Sequence, residues 1–233
     1  MDDSPAFYAG SSTRADARVS AFLSKVYGWM FIGLGITAAV AYAVASSPAV
    51  TGALMANRLV FFALVIVELG LVFFLSARVE RLNPSTAAGL FVGYAALNGV
   101  TLSLILLIYT GASIAMTFVV TGAMFGALAL YGTTTRRSLA GAGQFFFMGL
   151  IGIVLASIVG MFWHSDALAF LITVAGVIVF TGLTAWDAQR LKQMALEVPE
   201  ARAGAHAVVG ALSLYLNFVN LFLMLLRLQG RRD

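Results

Sequence analysis

The sequence predicts an all-α integral membrane protein with seven transmembrane helices, and three observations carry that prediction. Hydrophobic residues make up 61% of the 233 and charged residues only 10%, whereas a soluble domain is roughly 45–50% apolar and about 25% charged. The mean hydropathy is +0.96; a soluble core of this size cannot hide so much apolar surface from water, but a bilayer can face it with lipid tails. Finally, seven apolar runs each reach the length of about 20 helical residues needed to cross about 30 Å of hydrocarbon.

The first 25 residues form the only polar stretch of any length. Within it, Thr13 followed three residues later by Asp16 resembles a capping box, which predicts a short interfacial helix running from about Arg14 into the first span at 26–46. That span is longer than the roughly 7–15-residue core of a cleavable signal peptide, so it reads as retained. SSP before Ala49 separates it from the second span, 58–77. The turn at Asn83, Pro84 and Ser85 precedes the third, 87–109, and Thr110–Gly111 precedes the fourth, 113–131. TTTRRS leads to the fifth at 144–163, and His164, Ser165 and Asp166 lead to the sixth at 168–187. A linker at 188–206, containing Pro199, precedes the seventh at 207–226. The organisation is therefore an N-terminal segment (1–25), one membrane domain (26–230) and a basic tail (231–233). Small-xxx-small pairs at Gly89/Gly93, Gly122/Gly126 and Ala156/Gly160 offer places where helices could approach closely.

Basic residues orient the chain. Ten of the 14 lie on the side of the N-terminus: Arg14, Arg18, Lys25, Arg78, Arg81, Arg136, Arg137, Arg190, Lys192 and Arg202. The positive-inside bias then makes the N-terminus cytoplasmic. Seven spans place the tail LRLQGRRD outside, against the same bias; seven full crossings are the favoured reading. The net charge of +4 serves this orientation and does not indicate nucleic acid.

Polar residues inside spans carry the functional signal, because charge at the bilayer centre costs about 2.5–3.5 kcal/mol on insertion scales. Glu68 lies mid-span in FALVIVELGLVFF with no cation at i±3 or i±4, so it faces a partner, faces water, or is protonated. Asp187 closes the sixth span, where it can reach headgroups, pair with Arg190 at i+3, or serve a buried site. Asn217 and Asn220 share a face of the seventh span that Ser213 extends, and Asn98 sits mid-span in the third. Asn98, Ser213 and Asn220 read as supporting polar residues. Arg78, about 15 Å beyond Glu68 by helical rise, lies on the same side of the membrane as Asp187.

Enzyme chemistry lacks its parts. There is no cysteine, no G-x-S-x-G, no H-E-x-x-H, no phosphate-binding loop and no dinucleotide fingerprint. No catalytic residue and no tightly bound cofactor are expected. Buried carboxylates in a helical bundle suit cation passage or proton sensing.

Several stretches also resemble the Bax inhibitor family, most closely its bacterial members. They are VYGWMFIGLGITAAVAYAV, ELGLVFFLSARVERLNP, SIAMTFVVTGAMFGALALYGTTTRR, FMGLIGIVLAS, GVIVFTGLTAWDAQRLK and GALSLYLNFVNLFLMLLRLQG, which together cover about Lys25 to Gly230. The resemblance implies six helices wrapped around a central C-terminal one, a location in the bacterial inner membrane, and a pH-sensitive calcium leak. In such proteins aspartates on the sixth and seventh helices share a proton and an arginine of the second helix latches to them. Carried over, the pH sensor and gate is Asp187 and Asn217 with Arg78, and Glu68 and Asp187 lie on the ion pathway as the ligands a calcium ion would meet. The family pattern LYLDF reads LYLNF here, so Asn217 stands where the second aspartate belongs. An amide has no proton to titrate, which predicts gating less dependent on pH near neutrality.

A second reading assigns the chain a non-conducting role, regulating another membrane protein such as a membrane-bound protease. The tail and the 188–206 linker are its supports.

Overall fold

A computed structural model describes residues 4–163 and 165–231, with side chains from Arg14 onward. His164 lies outside the described residues. Among them there are eight α-helices and no strand: α1 (Ser4–Ala45), α2 (Pro48–Ala56), α3 (Arg58–Arg78), α4 (Pro84–Leu102), α5 (Gly111–Thr134), α6 (Ala140–Phe162), α7 (Asp166–Glu197) and α8 (Glu200–Gln229). All but α2 belong to segments long and apolar enough to cross a membrane. Short 3-10 turns extend α3 through Arg81 and α4 through Leu107.

The turn residues start the helices by ordinary capping. The side-chain oxygen of Asn57 accepts from Leu59 and Val60, that of Asn83 from Thr86 at 2.7 Å, that of Thr110 from Ser113 and that of Ser165 from Leu168. Pro48 and Pro84 occupy the first helical positions, where a missing N–H costs nothing.

Three sequence expectations need correction. Thr13 does not start a helix, because α1 is already helical at Ser4 and runs unbroken to Ala45. SSP opens the short helix α2 rather than only a loop. Most consequentially, the expected linker at 188–206 is helical: α7 continues ten residues past Asp187 to Glu197, only Val198 and Pro199 intervene, and α8 begins at Glu200. The expectation failed because QRLKQMALE is polar enough to look like a loop yet is made of strong helix formers.

Helix α8 is the most buried span: 67% of its most apolar window is inside the protein, against 6% for α6. It packs along α1, α4, α5 and α7. Helix α6 packs mainly on α7, and α3 mainly on α4, so the contacts do not establish an even ring of six about α8.

Close helix approaches occur at glycines other than the predicted ones. A side chain begun at Gly99 would stand 2.7 Å from the Thr37 carbonyl oxygen, one at Gly132 would run into the Ala185 backbone, and one at Gly143 into the Trp186 ring. By contrast, Gly89, Gly93, Gly122 and Gly126 have nothing within 4 Å, and Gly160 meets only Leu168 at an ordinary 3.8 Å. In the α7–α8 hairpin, Leu191 lies against Gly210 and Met224 against Gly176. That register brings Asp187 opposite Asn217.

Candidate functional site

Asp187 is buried inside α7 because the helix runs on past it, and the hairpin register supplies its partner. Asn217 Nδ2 donates to Asp187 Oδ2 at 2.8 Å, and both residues are buried. One turn along α7, Arg190 brings its Nη2 to 2.9 Å from Asp187 Oδ1. The same Nη2 lies 3.4 Å from Ser213 Oγ on α8, and the guanidinium carbon lies 5.0 Å from the centre of the Trp186 ring. The Arg190–Asp187 contact is off the line of a directed hydrogen bond, so Oδ1 and the buried Arg190 Nε both lack hydrogen-bond partners.

Arg78, expected as the cation beside Asp187, stands elsewhere. It is exposed at the end of α3, with its guanidinium 5.8 Å from the centre of the Phe74 ring. The cation at Asp187 is Arg190, because residues three apart on one helix share a face and α7 is unbroken there.

Glu68 heads a second buried cluster. Its Oε2 accepts from Asn98 Nδ2 at 3.2 Å, and its Oε1 lies 3.0 Å from Thr101 Oγ1. The Tyr215 hydroxyl donates to Asn98 Oδ1 at 2.9 Å and lies 2.6 Å from Thr37 Oγ1, which in turn reaches the Ala95 carbonyl oxygen at 2.8 Å. This chain of polar groups ties α3, α4, α8 and α1 together. Tyr215 is wholly buried, edge-on to Phe91 and Tyr94. Asn98 is therefore part of the Glu68 cluster. Ser213 belongs to the Asp187 cluster, and Asn220 satisfies itself on the Leu216 carbonyl oxygen at 2.8 Å.

The two clusters occupy opposite sides of α8, since Tyr215 and Asn217 are two positions apart and so point about 200° apart around the helix. The expectation that Glu68 and Asp187 line one pathway and hold one calcium ion finds no support in this arrangement. Among the described residues no group of three His, Cys, Asp or Glu side chains could hold a metal ion.

Sequence reasoning missed Tyr215, Thr37, Thr101 and Trp186. Thr101 stands three residues after Asn98 and Trp186 beside Asp187, so spacing could have flagged them; Tyr215 and Thr37 join through tertiary packing alone. It missed Gln189 as well, whose buried amide donates to the Arg137 carbonyl oxygen at 2.9 Å and accepts from Leu139 N at 2.7 Å. That clamp fastens the α5–α6 loop beside the Asp187 cluster.

Comparison with known proteins matches residues 19–233 to the family model described as inhibitor of apoptosis-promoting Bax1. The chain belongs to the Bax inhibitor family. Among its relatives, the inner membrane protein YbhL of Escherichia coli K12 is 49% identical over 93% of this chain and 94% of its own. An uncharacterized protein of Borreliella burgdorferi is 44% identical over 91% and 92%, and one of Deinococcus radiodurans is 39% identical over 93% of both chains. As a Bax inhibitor family member, this protein carries an amide where the resemblance leads one to expect an acid, and that amide bonds directly to the remaining aspartate.

Proposed function

We propose that this protein is a cation conduit of the inner membrane, a calcium leak held closed at the α7–α8 contact, with its N-terminus in the cytoplasm. The observation that carries the reading is the buried Asp187–Asn217 pair with Arg190 against it. A carboxylate buried inside a membrane-spanning helix is costly and is a functional-site hypothesis by default. Because its partners come from two helices, a small shift of α8 against α7 changes what Asp187 touches. A hard cation such as calcium takes carboxylate, amide and hydroxyl oxygens, and Asp187, Asn217 and Ser213 supply those types. Glu68 stands apart from this point, on the other side of α8, in the polar cluster that joins α3, α4, α8 and α1.

Asn217 also bears on regulation. Two adjacent carboxylates share protons in coupled steps, whereas an acid next to an amide does not. The leak is therefore weakly pH-dependent here. In calcium-loaded proteoliposomes, wild-type flux should change little between about pH 6 and pH 8, and Asn217→Asp should introduce a steep dependence. A steep wild-type dependence that Asn217→Asp leaves unaltered overturns this account of regulation.

The regulatory alternative has lost one of its two supports, since residues 188–197 and 200–206 are helix. Of its other support, the tail, Arg232 and Asp233 lie outside the described residues, and Arg231 is bonded back to the bundle: Thr110 N donates to the Arg231 carbonyl oxygen at 3.1 Å, and Arg231 N donates to Ser113 Oγ at 2.9 Å. Asp187→Asn separates the two readings. It should lower ion flux under the conduit reading, while a purely regulatory protein would show no flux for the substitution to alter.

A further inference from the structure

We propose that Arg190 is a tethered plug: its guanidinium occupies the place beside Asp187 that a permeating calcium ion would take, and ion binding displaces it. The inference rests on the conduit reading above and names the residue that competes with the ion.

Four observations converge on Arg190. It is the positive group against a carboxylate whose side chain is only 9% exposed, so whatever replaces it must also be a cation. Its hold is partial: one nitrogen, Nη2, serves both Asp187 Oδ1 and Ser213 Oγ, while Nε is buried without a partner and Oδ1 receives no directed hydrogen bond. A guanidinium satisfied in a fork would be hard to dislodge; this one is not so held. Its own side chain is 40% exposed, so it has a way out that does not cross the bundle. Finally, once it leaves, the oxygens it covers suit a hard cation: Asp187 Oδ1, Ser213 Oγ, and the Asn217 carbonyl oxygen after a flip of the amide that now turns its nitrogen to Asp187. Arg78 plays no part, being stacked on Phe74 at the end of α3.

The neighbouring Trp186 gives a readout independent of transport. The chain has three tryptophans, so Trp29→Phe with Trp163→Phe leaves Trp186 as the sole tryptophan, excited selectively at the red edge beyond tyrosine absorption. Adding calcium to that purified protein should change Trp186 emission as the guanidinium leaves the ring, and Arg190→Gln or Asp187→Asn should abolish the change. No calcium-dependent change in the parent overturns the proposal without any substitution at the site. In proteoliposomes, Arg190→Gln should raise calcium flux on the order of tenfold, the equivalent of about 1.4 kcal/mol. Arg190→Lys, which keeps the charge, should stay near wild type, as should Arg78→Gln. Faster flux from Arg78→Gln with none from Arg190→Gln overturns the proposal and leaves the conduit reading standing. A Trp186 response lost in Arg190→Gln, with no flux from any variant, upholds the tethered cation and overturns conduction.

Discussion

At the scale of single residues, the hydrogen-bonding inventory of Tyr215 decides what it does. Its hydroxyl serves Asn98 and Thr37 in a site closed to water. Tyr215→Phe keeps the ring and its edge contacts but leaves the Asn98 carbonyl oxygen without its donor. Such an unsatisfied buried group costs about 1–3 kcal/mol, so the midpoint of thermal unfolding in detergent should fall measurably. Thr101→Val, which removes the hydroxyl lying 3.0 Å from both Glu68 Oε1 and the Asn98 backbone carbonyl oxygen, should also destabilise. No loss in either variant means that the chain of polar groups from Glu68 to Thr37 does not help hold the four helices together.

At the scale of helices, the glycines divide into two groups with opposite expectations. Gly132 and Gly99 leave no room for a side chain, so Gly132→Leu must push α5 off α7 and should cost about 1–3 kcal/mol, as overpacking does. Gly122→Ala and Gly89→Ala project into open space and should be neutral or slightly stabilising, because alanine is the better helix former. Comparing their unfolding midpoints checks the helix packing directly. The number and place of the spans were legible in the sequence because hydrophobic run length is a local signal. Small-xxx-small spacing is also local, but it does not say which face meets a neighbour, so it pointed to Gly89/Gly93 and Gly122/Gly126 instead of Gly99 and Gly132. The end of α7 was misread for the converse reason: apolar length stops at the membrane surface, but a helix does not.

At the scale of the whole molecule, the candidate site was half legible. Asp187, Asn217 and Glu68 stood out because each is polar in an apolar run. Arg190 at i+3 was one of the readings open for Asp187, and the structure selects it over Arg78 because α7 runs on unbroken past Asp187 and Arg190. The partners of Glu68 on α4 and α8 come together only through tertiary packing. Glu68 and Asp187 fall on opposite sides of α8, a separation that no spacing between different helices reveals. Orientation can be tested on the intact molecule, because the chain has no native cysteine. With the N-terminus cytoplasmic, Ser138→Cys should react with a membrane-impermeant maleimide only from the cytoplasmic face, and Met55→Cys, exposed at the end of α2, only from the opposite one. The reverse pattern would invert the topology but leave the two clusters intact. Whether Asp187 is where cations are held or passed is tested most directly by calcium entry into proteoliposomes bearing the wild type or Asp187→Asn. Calcium entry through the wild type that Asp187→Asn removes is the predicted result; equal entry through both, or none through either, contradicts it.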